Sequence, residues 1–231
     1  MTAKRAIAAL EARGWSRLAT GDWSWVLVSP DGDRAARVSP WDDAYRLHAE
    51  LCRRTQNPYL QRVDAILPLG PLGHVVLMER LWPAAESGAA AFCAALAVPG
   101  DSDWSPPPGV DTSAYAGDEA LHALRRELTT MAAVGAASLP FWGGFDVRPG
   151  NVMADSGGGL KLIDPVFVSG PKIIAALTAG DRAVLARLPT GAVAAFLTIP
   201  VFQDGANDLR RAARDLGLLE RDSINRNHSR R

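Results

Sequence analysis

In residues 1–81 the spacing of hydrophobic positions changes several times, which predicts short strands with one inserted helix. An amphipathic stretch over residues 4–13 predicts a first helix, and alternating positions over residues 15–28 predict a strand. The turn Ser29-Pro30-Asp31-Gly32 then predicts an antiparallel strand over residues 34–39. The remaining predicted elements of this part are a helix over residues 42–54 and strands over residues 62–67 and 74–81.

Beyond Trp82 the hydrophobic positions take the spacing of helices. Leu121, Leu124, Leu128 and Met131 lie three or four residues apart, which predicts a helix over residues 117–136. We therefore expect an α+β, two-lobed chain, with an antiparallel-sheet lobe over residues 1–81 and a helical lobe over residues 82–219. Other helices are predicted at residues 84–98, 172–177, 181–188, 191–197 and 207–219, with a loop at 99–112 and a disordered basic tail at 220–231.

Composition fits a folded protein with a hydrophobic core. The chain has 231 residues, of which 48% are hydrophobic and 22% charged. Its formal net charge is zero, so bulk charge predicts neither a nucleic-acid partner nor an anionic membrane. The cysteines Cys52 and Cys93 have no metal or redox spacing, which favours a reduced, cytoplasmic setting. The apolar runs are too short to cross a bilayer.

Candidate chemistry is concentrated between Asp146 and Asp164. Asn151 follows Asp146 by five residues in a loop that contains proline and glycine, and a hairpin is predicted to return Asp164 close to Asn151. Two hard oxygen ligands at the end of one hairpin suit a magnesium ion that keeps several waters. Asp146 is left free to orient a hydroxyl group.

These residues resemble the protein-kinase-like superfamily over about residues 15 to 170. Asp146-x-Arg148-Pro149-x-Asn151 resembles the catalytic loop D-x-x-x-x-N, and Asp164 has the spacing of the metal-binding aspartate. Two branches compete, the aminoglycoside phosphotransferases and the early-expressed protein kinases of podophages. The run from Phe145 to Met153, with the later Asp164-Pro165-Val166, is more similar to the phage kinases.

The resemblance implies ATP and Mg²⁺ as cofactors and a role for each residue of the loop. Asp146 would accept or orient the proton of the acceptor hydroxyl, while Asn151 and Asp164 would hold magnesium against the nucleotide phosphates. Arg148 lies where protein kinases often have a lysine that reaches the transferred phosphate. A guanidinium can bind that phosphate through two hydrogen bonds.

In the N-terminal lobe the resemblance implies a nucleotide site. Gly21 lies in the expected phosphate-covering loop, and Arg37 occupies the position of the family's strand lysine. We expect Arg37 to pair with Glu50 and with the nucleotide. Met78 and Glu79 fall in the expected hinge, whose backbone would face adenine.

The leading functional expectation is a phage-type serine/threonine protein kinase that acts on host proteins in the host cytoplasm. Arg37 in place of lysine, and Gly144 where the family usually has histidine, suggest a pseudokinase that binds a host protein. A small-molecule phosphotransferase of the aminoglycoside type is the third possibility. It requires an acidic pocket, for which the available cluster is Asp101, Asp103, Asp111, Asp118 and Glu119.

Overall fold

The computed structural model describes residues 1–98, 104–202 and 205–219. Its N-terminal part is an antiparallel sheet of five strands in the order β1-β2-β3-β5-β4, with one helix on each face. The elements are α1 (Ala3–Glu11), β1 (Ser16–Thr20), β2 (Trp25–Val28), β3 (Arg34–Ser39), α2 (Asp43–Arg54), β4 (Val63–Leu69) and β5 (Gly73–Glu79).

Helix α1 covers one face of this sheet. Thr2 caps its first turn, and Ile7 packs with the buried side chains of Trp25 and Leu27. The predicted strand over residues 15–28 is wrong, because a turn closed by the hydrogen bond from Gly21 N to Ser24 O divides it into β1 and β2. Glycine and small polar residues at this point favour the turn over a continuous strand.

Helix α2 begins and ends where the sequence predicts. The carboxylate of Asp42 caps it by accepting a hydrogen bond from Tyr45 N at 3.1 Å. Its buried face includes Tyr45, His48 and Cys52, and packs against β4 and against the C-terminal part of the chain. The helix therefore connects the sheet to the rest of the molecule.

The C-terminal part is mostly helical, with small pairs of strands that position its loops. Strand β6 (Trp82–Pro83) pairs with β8 (Val152–Ala154), which forms the predicted hairpin with β9 (Leu160–Leu162). Strand β7 (Trp142–Phe145) pairs with β10 (Val166–Val168). The helices are α3 (Glu86–Leu96), α4 (Glu119–Ser138), α5 (Gly170–Ala179), α6 (Arg182–Leu185), α7 (Ala192–Phe196) and α8 (Asn207–Asp215).

The predicted α+β class, with an antiparallel sheet followed by a helical part, is confirmed. One buried cluster runs through both parts and contains Tyr45 of α2, Leu128 of α4 and Phe196 of α7. The division at residues 81 and 82 stays a prediction. In the described residues, no helix is long and apolar enough to cross a membrane. The predicted tail at 220–231 and part of the predicted loop at 99–112 lie outside the described residues.

Candidate active site

A cavity of about 690 Å³ lies between the sheet and the C-terminal part of the chain. Its volume is that of a typical small-molecule site. The residues that line it come from the sheet and from the helical part, so the fold brings together residues that are far apart in the sequence. The predicted site residues among them are Gly21, Arg37, Asp146, Arg148, Asn151 and Asp164.

Asn151 holds the two aspartates of the site, Asp146 and Asp164, in place. Its Nδ2 lies 2.7 Å from the backbone oxygen of Asp146, 2.9 Å from Asp146 Oδ2 and 3.0 Å from the backbone oxygen of Asp164. The hairpin adds a hydrogen bond of 3.0 Å from Ile163 N to Asn151 O. Asp164 therefore returns next to Asn151, as the sequence predicts.

The free oxygens of this cluster fit a magnesium ion. Within the part of the chain that the structure describes, no donor bonds to Oδ1 of Asn151 or Oδ1 of Asp164. Nor do the described residues form any cluster of three or more histidine, cysteine and acidic side chains that could hold a metal by themselves. Two oxygen ligands suit Mg²⁺, which takes its remaining ligands from water and from substrate phosphates.

Asp146 is fixed at its backbone and accessible at its carboxylate. Its backbone N donates to Pro165 O at 2.7 Å. Its carboxylate pairs with Arg148 Nε, at 2.9 Å from Oδ1 and 3.1 Å from Oδ2. The side chain of Asp146 is 31% exposed, so a molecule bound in the cavity can reach it. Arg148 thus contacts Asp146 directly, and more than half of its own side chain is exposed.

Arg37 joins the sheet to the loop that carries Asp164. Its Nη1 lies 2.9 Å from Asp164 Oδ2 and its Nη2 lies 2.9 Å from Asp42 Oδ2. The guanidinium also stacks on Tyr45, 3.6 Å from the ring centroid. Although burial opposes its charge, Asp164 and Asp42 raise the pKa of Arg37, which stays protonated. Burial raises the pKa of Asp42 to about 6, against the lowering effect of Arg37.

The predicted pairing of Arg37 with Glu50 is wrong. Asp42 is the N-cap of α2 and is buried, whereas Glu50 is on the exposed face two turns later. Glu50 instead accepts a hydrogen bond from Arg46 at 3.2 Å. Arg37 therefore pairs with Asp42, at the start of α2, and not with Glu50, within the helix.

The predicted hinge residues do not line the described cavity. Met78 is buried, and its sulfur lies 3.5 Å from the hydroxyl of Tyr45. The Glu79 side chain accepts a hydrogen bond from Arg62 N at 2.6 Å, and its backbone N donates to Arg62 O. Met78 therefore packs against Tyr45 of α2, and both the side chain and the backbone N of Glu79 are bonded to Arg62.

Behind Arg37 lies a buried polar layer without charge. Gln61 donates to the hydroxyl of Tyr45 at 2.8 Å, and His74 stacks on the Tyr45 ring. Burial, with a smaller contribution from Arg37, lowers the pKa of both His48 and His74 to about 3. Because both histidines are neutral, Asp42 and Asp164 share the positive charge of Arg37.

Trp23 belongs to an aromatic wall of the cavity, whose packing partners the sequence did not identify. Trp23, at the turn between β1 and β2, lies with its ring centroid 5.4 Å from that of Phe196 and 6.0 Å from that of Trp41. Asp22 O accepts a hydrogen bond from Val201 N at 3.3 Å. Because these partners are far apart in sequence, the local hydrophobic pattern contained no signal for the contact.

No family model and no curated protein matches the chain. Solved structures that resemble it include an apo pseudokinase, at 9% identity and a TM-score of 0.37, covering 96% of this chain and 97% of that one. Another is the aminoglycoside phosphotransferase APH(3'')-Id from Streptomyces rimosus, at 19% identity and a TM-score of 0.35, covering 94% of this chain and 98% of that one. At these identities and TM-scores, function has to be inferred from the site itself.

Proposed function

We propose that this protein is an ATP- and magnesium-dependent phosphotransferase of the protein-kinase-like type. The observation that supports the proposal most is the set of Asn151 hydrogen bonds, which hold Asp146 and Asp164 at one cavity. Arg37 reaches the same place from the sheet. A carboxylate for the acceptor, two oxygens for a metal and a buried cation are the parts that phosphoryl transfer requires.

Each of these side chains has a defined role in the proposal. Asn151 and Asp164 would hold Mg²⁺ through their free oxygens, and the bound ion would neutralise charge on the nucleotide phosphates. Asp146 orients the acceptor hydroxyl and takes its proton. Arg148 keeps the carboxylate of Asp146 directed into the cavity. Arg37 sets the position of Asp164 and adds positive charge on the side of the sheet.

The narrower expectation is a serine/threonine protein kinase that acts on host proteins in the cytoplasm of a phage host. It is supported by the sequence from Phe145 to Met153 and by Asp164-Pro165-Val166, which resemble the phage kinases. The geometry of the catalytic loop supports phosphoryl transfer without identifying the acceptor.

Binding and transfer can be tested separately. We expect ATP with Mg²⁺ to raise the melting temperature of the purified protein, and radiolabelled ATP to give labelled products in a bacterial lysate. Asp146→Ala should abolish labelling but keep the thermal shift, because that carboxylate acts on the acceptor. Asp164→Ala should reduce both. Labelling that survives both substitutions would rule out the proposed site.

A pseudokinase is the second candidate, and one observation favours it. Arg37 already neutralises Asp164 Oδ2 through a 2.9 Å ion pair, so a metal at Asp164 has to compete with a guanidinium. A pseudokinase of this kind would retain the fold and bind a host protein, with no transfer to any acceptor. Normal melting without any response to ATP and Mg²⁺ would support it.

A further inference from the structure

The cavity continues past Asp146 into an apolar end. The backbone of Asp146 is bonded to Pro165, and the chain then enters β10, so this end begins directly beside the proposed catalytic carboxylate. Its wall is made of partly exposed hydrophobic side chains, which a bound molecule would cover. They include Trp23, Phe167, Ile174, Val201 and Phe202.

A bridge between the two parts of the chain covers this end. Asp22 O accepts a hydrogen bond from Val201 N, and the ring of Trp23 packs on Phe196. Trp23 Cζ2 also lies 3.5 Å from the point where a Cβ on Gly170 would be, so the tip of the β1–β2 turn rests on the start of α5. This bridge closes one side of the cavity, which favours a compact acceptor over an extended protein segment.

Arginines engage most of the carboxylates that line the cavity. Of the carboxylates that line it, Asp42 and Asp164 are paired with Arg37 and Asp146 is paired with Arg148. Among the described lining residues, this leaves Asp22 as the carboxylate without an ion pair.

The acidic cluster that an aminoglycoside-type site would need lies elsewhere. Asp118 caps α4 and accepts a hydrogen bond from the Tyr59 hydroxyl, while Asp111 accepts one from Ser113 N. Neither these two nor Glu119 lines the cavity. Asp101 and Asp103 lie outside the described residues.

We infer that the acceptor is a small, uncharged alcohol with an apolar or aromatic body, which occupies this end of the cavity. The inference rests on the proposed phosphotransferase function and narrows it. The hydroxyl proton passes to Asp146, the acceptor oxygen forms a bond to the γ-phosphorus of ATP, and the bond from that phosphorus to the β–γ bridging oxygen breaks. The products are ADP and a phosphate monoester, and Asp146 releases the proton to solvent.

The test uses the purified 231-residue protein, ATP and Mg²⁺ with three sets of acceptors. These are uncharged aliphatic and aromatic alcohols, aminoglycosides, and serine- and threonine-containing peptides. Formation of ADP and of the phosphorylated product is measured for each. We expect transfer to members of the first set at rates well above ATP hydrolysis. Preferential transfer to a peptide or to an aminoglycoside would overturn the inference while leaving the phosphotransferase function intact.

Two matched valine substitutions show where the acceptor binds. Val201 is 55% exposed and lines the cavity, whereas Val134 is 48% exposed on α4 and does not. Val201→Glu places a charge in the apolar end and should lower kcat/KM for the alcohol at least about tenfold, with ATP binding unchanged. Val134→Glu should leave both unchanged. Equal effects of the two substitutions would contradict the assignment.

Two further outcomes distinguish the inference from the proposed function. ATP hydrolysis that depends on Asp146, with no transfer to any uncharged alcohol, would refute the acceptor class alone. Failure to bind ATP with Mg²⁺, in a protein that melts normally, would refute the phosphotransferase function and the inference with it.

Discussion

At the scale of single residues, the amide of Asn151 determines the geometry of the site. One nitrogen serves three acceptors on two segments, so it links the loop before the hairpin to the residue after it. The sequence gives the spacing of Asp146, Asn151 and Asp164, and a hairpin explains why they meet. It does not indicate that the Asn151 nitrogen bonds to both Asp146 and Asp164.

Asn151→Ala should therefore affect activity more than stability. Removing the amide leaves the backbone oxygens of Asp146 and Asp164 without their donor, at a cost of roughly 1–3 kcal/mol in the free energy of unfolding. Loss of a metal ligand and of the alignment of Asp146 should lower phosphotransfer on the order of a hundredfold or more. Chemical denaturation and steady-state kinetics measure the two effects. Unchanged kinetics would show that Asn151 only supports the loop.

Arg37 and Glu50 provide a second test at this scale. Arg37→Met leaves Asp42 and Asp164 without their shared cation, and we expect a loss of about 3 kcal/mol in the free energy of unfolding, because one partner of a buried ion pair is removed. Glu50→Gln is the matched control, since Glu50 contacts Arg46 at the surface and should change stability by less than about 1 kcal/mol. Denaturant unfolding compares them, and equal losses would contradict the pairing in the structure.

At the scale of elements, the sequence predicted the helices and strands whose local hydrophobic pattern and capping residues are distinct. Helix α2 was placed correctly because Asp42 is a helix cap and its apolar face repeats regularly. Strands β6, β7 and β10 were missed, because two to four residues are too few for alternation to be recognised. The contact of Trp23 with Phe196 was missed because it depends on tertiary packing.

The packing of α2 against the sheet also predicts a pH dependence of stability. His48 and His74 have their pKa lowered to about 3 in the folded state, so as pH falls below about 6.5 the unfolded state binds protons that the folded state does not, and stability falls. Asp42, whose pKa is raised to about 6, has the opposite effect between about pH 4 and 6. The other titratable groups around the histidines are Arg37, Tyr45 and Cys52. All three stay protonated between pH 4 and 6.5, so they add nothing to this pH dependence.

The net slope should be about 1–2 kcal/mol of unfolding free energy per pH unit between pH 4 and 6, since two histidines outweigh one carboxylate. Urea unfolding at several pH values measures it. His74→Leu should flatten the slope, whereas His122→Leu, at an exposed position on α4, should not. A slope that is the same in wild type and His74→Leu would exclude His74 as its source.

At the scale of the whole molecule, the sheet and the helical part share one core. The buried cluster that contains Tyr45 and Leu128 extends to Phe196, and Arg37 and Trp23 add contacts across the cavity. The sequence predicted two lobes and did not indicate how much hydrophobic surface they would share. The cavity therefore lies between two parts of the chain that are packed together through this shared core.

A shared core predicts cooperative unfolding. We expect one transition on heating, seen at the same temperature by near-UV and far-UV circular dichroism, because one buried cluster packs the two parts together. Separate transitions for the sheet and the helices would indicate two independently stable lobes.

The most direct test of the central claim is a crystal structure with a non-hydrolysable ATP analogue and Mg²⁺. We expect the ion in the cavity, bound by Oδ1 of Asn151 and by Asp164 at about 2.1 Å, with the γ-phosphate facing Asp146. A metal and phosphates bound away from these three residues, or a cavity that takes up no nucleotide at saturating concentration, would contradict it.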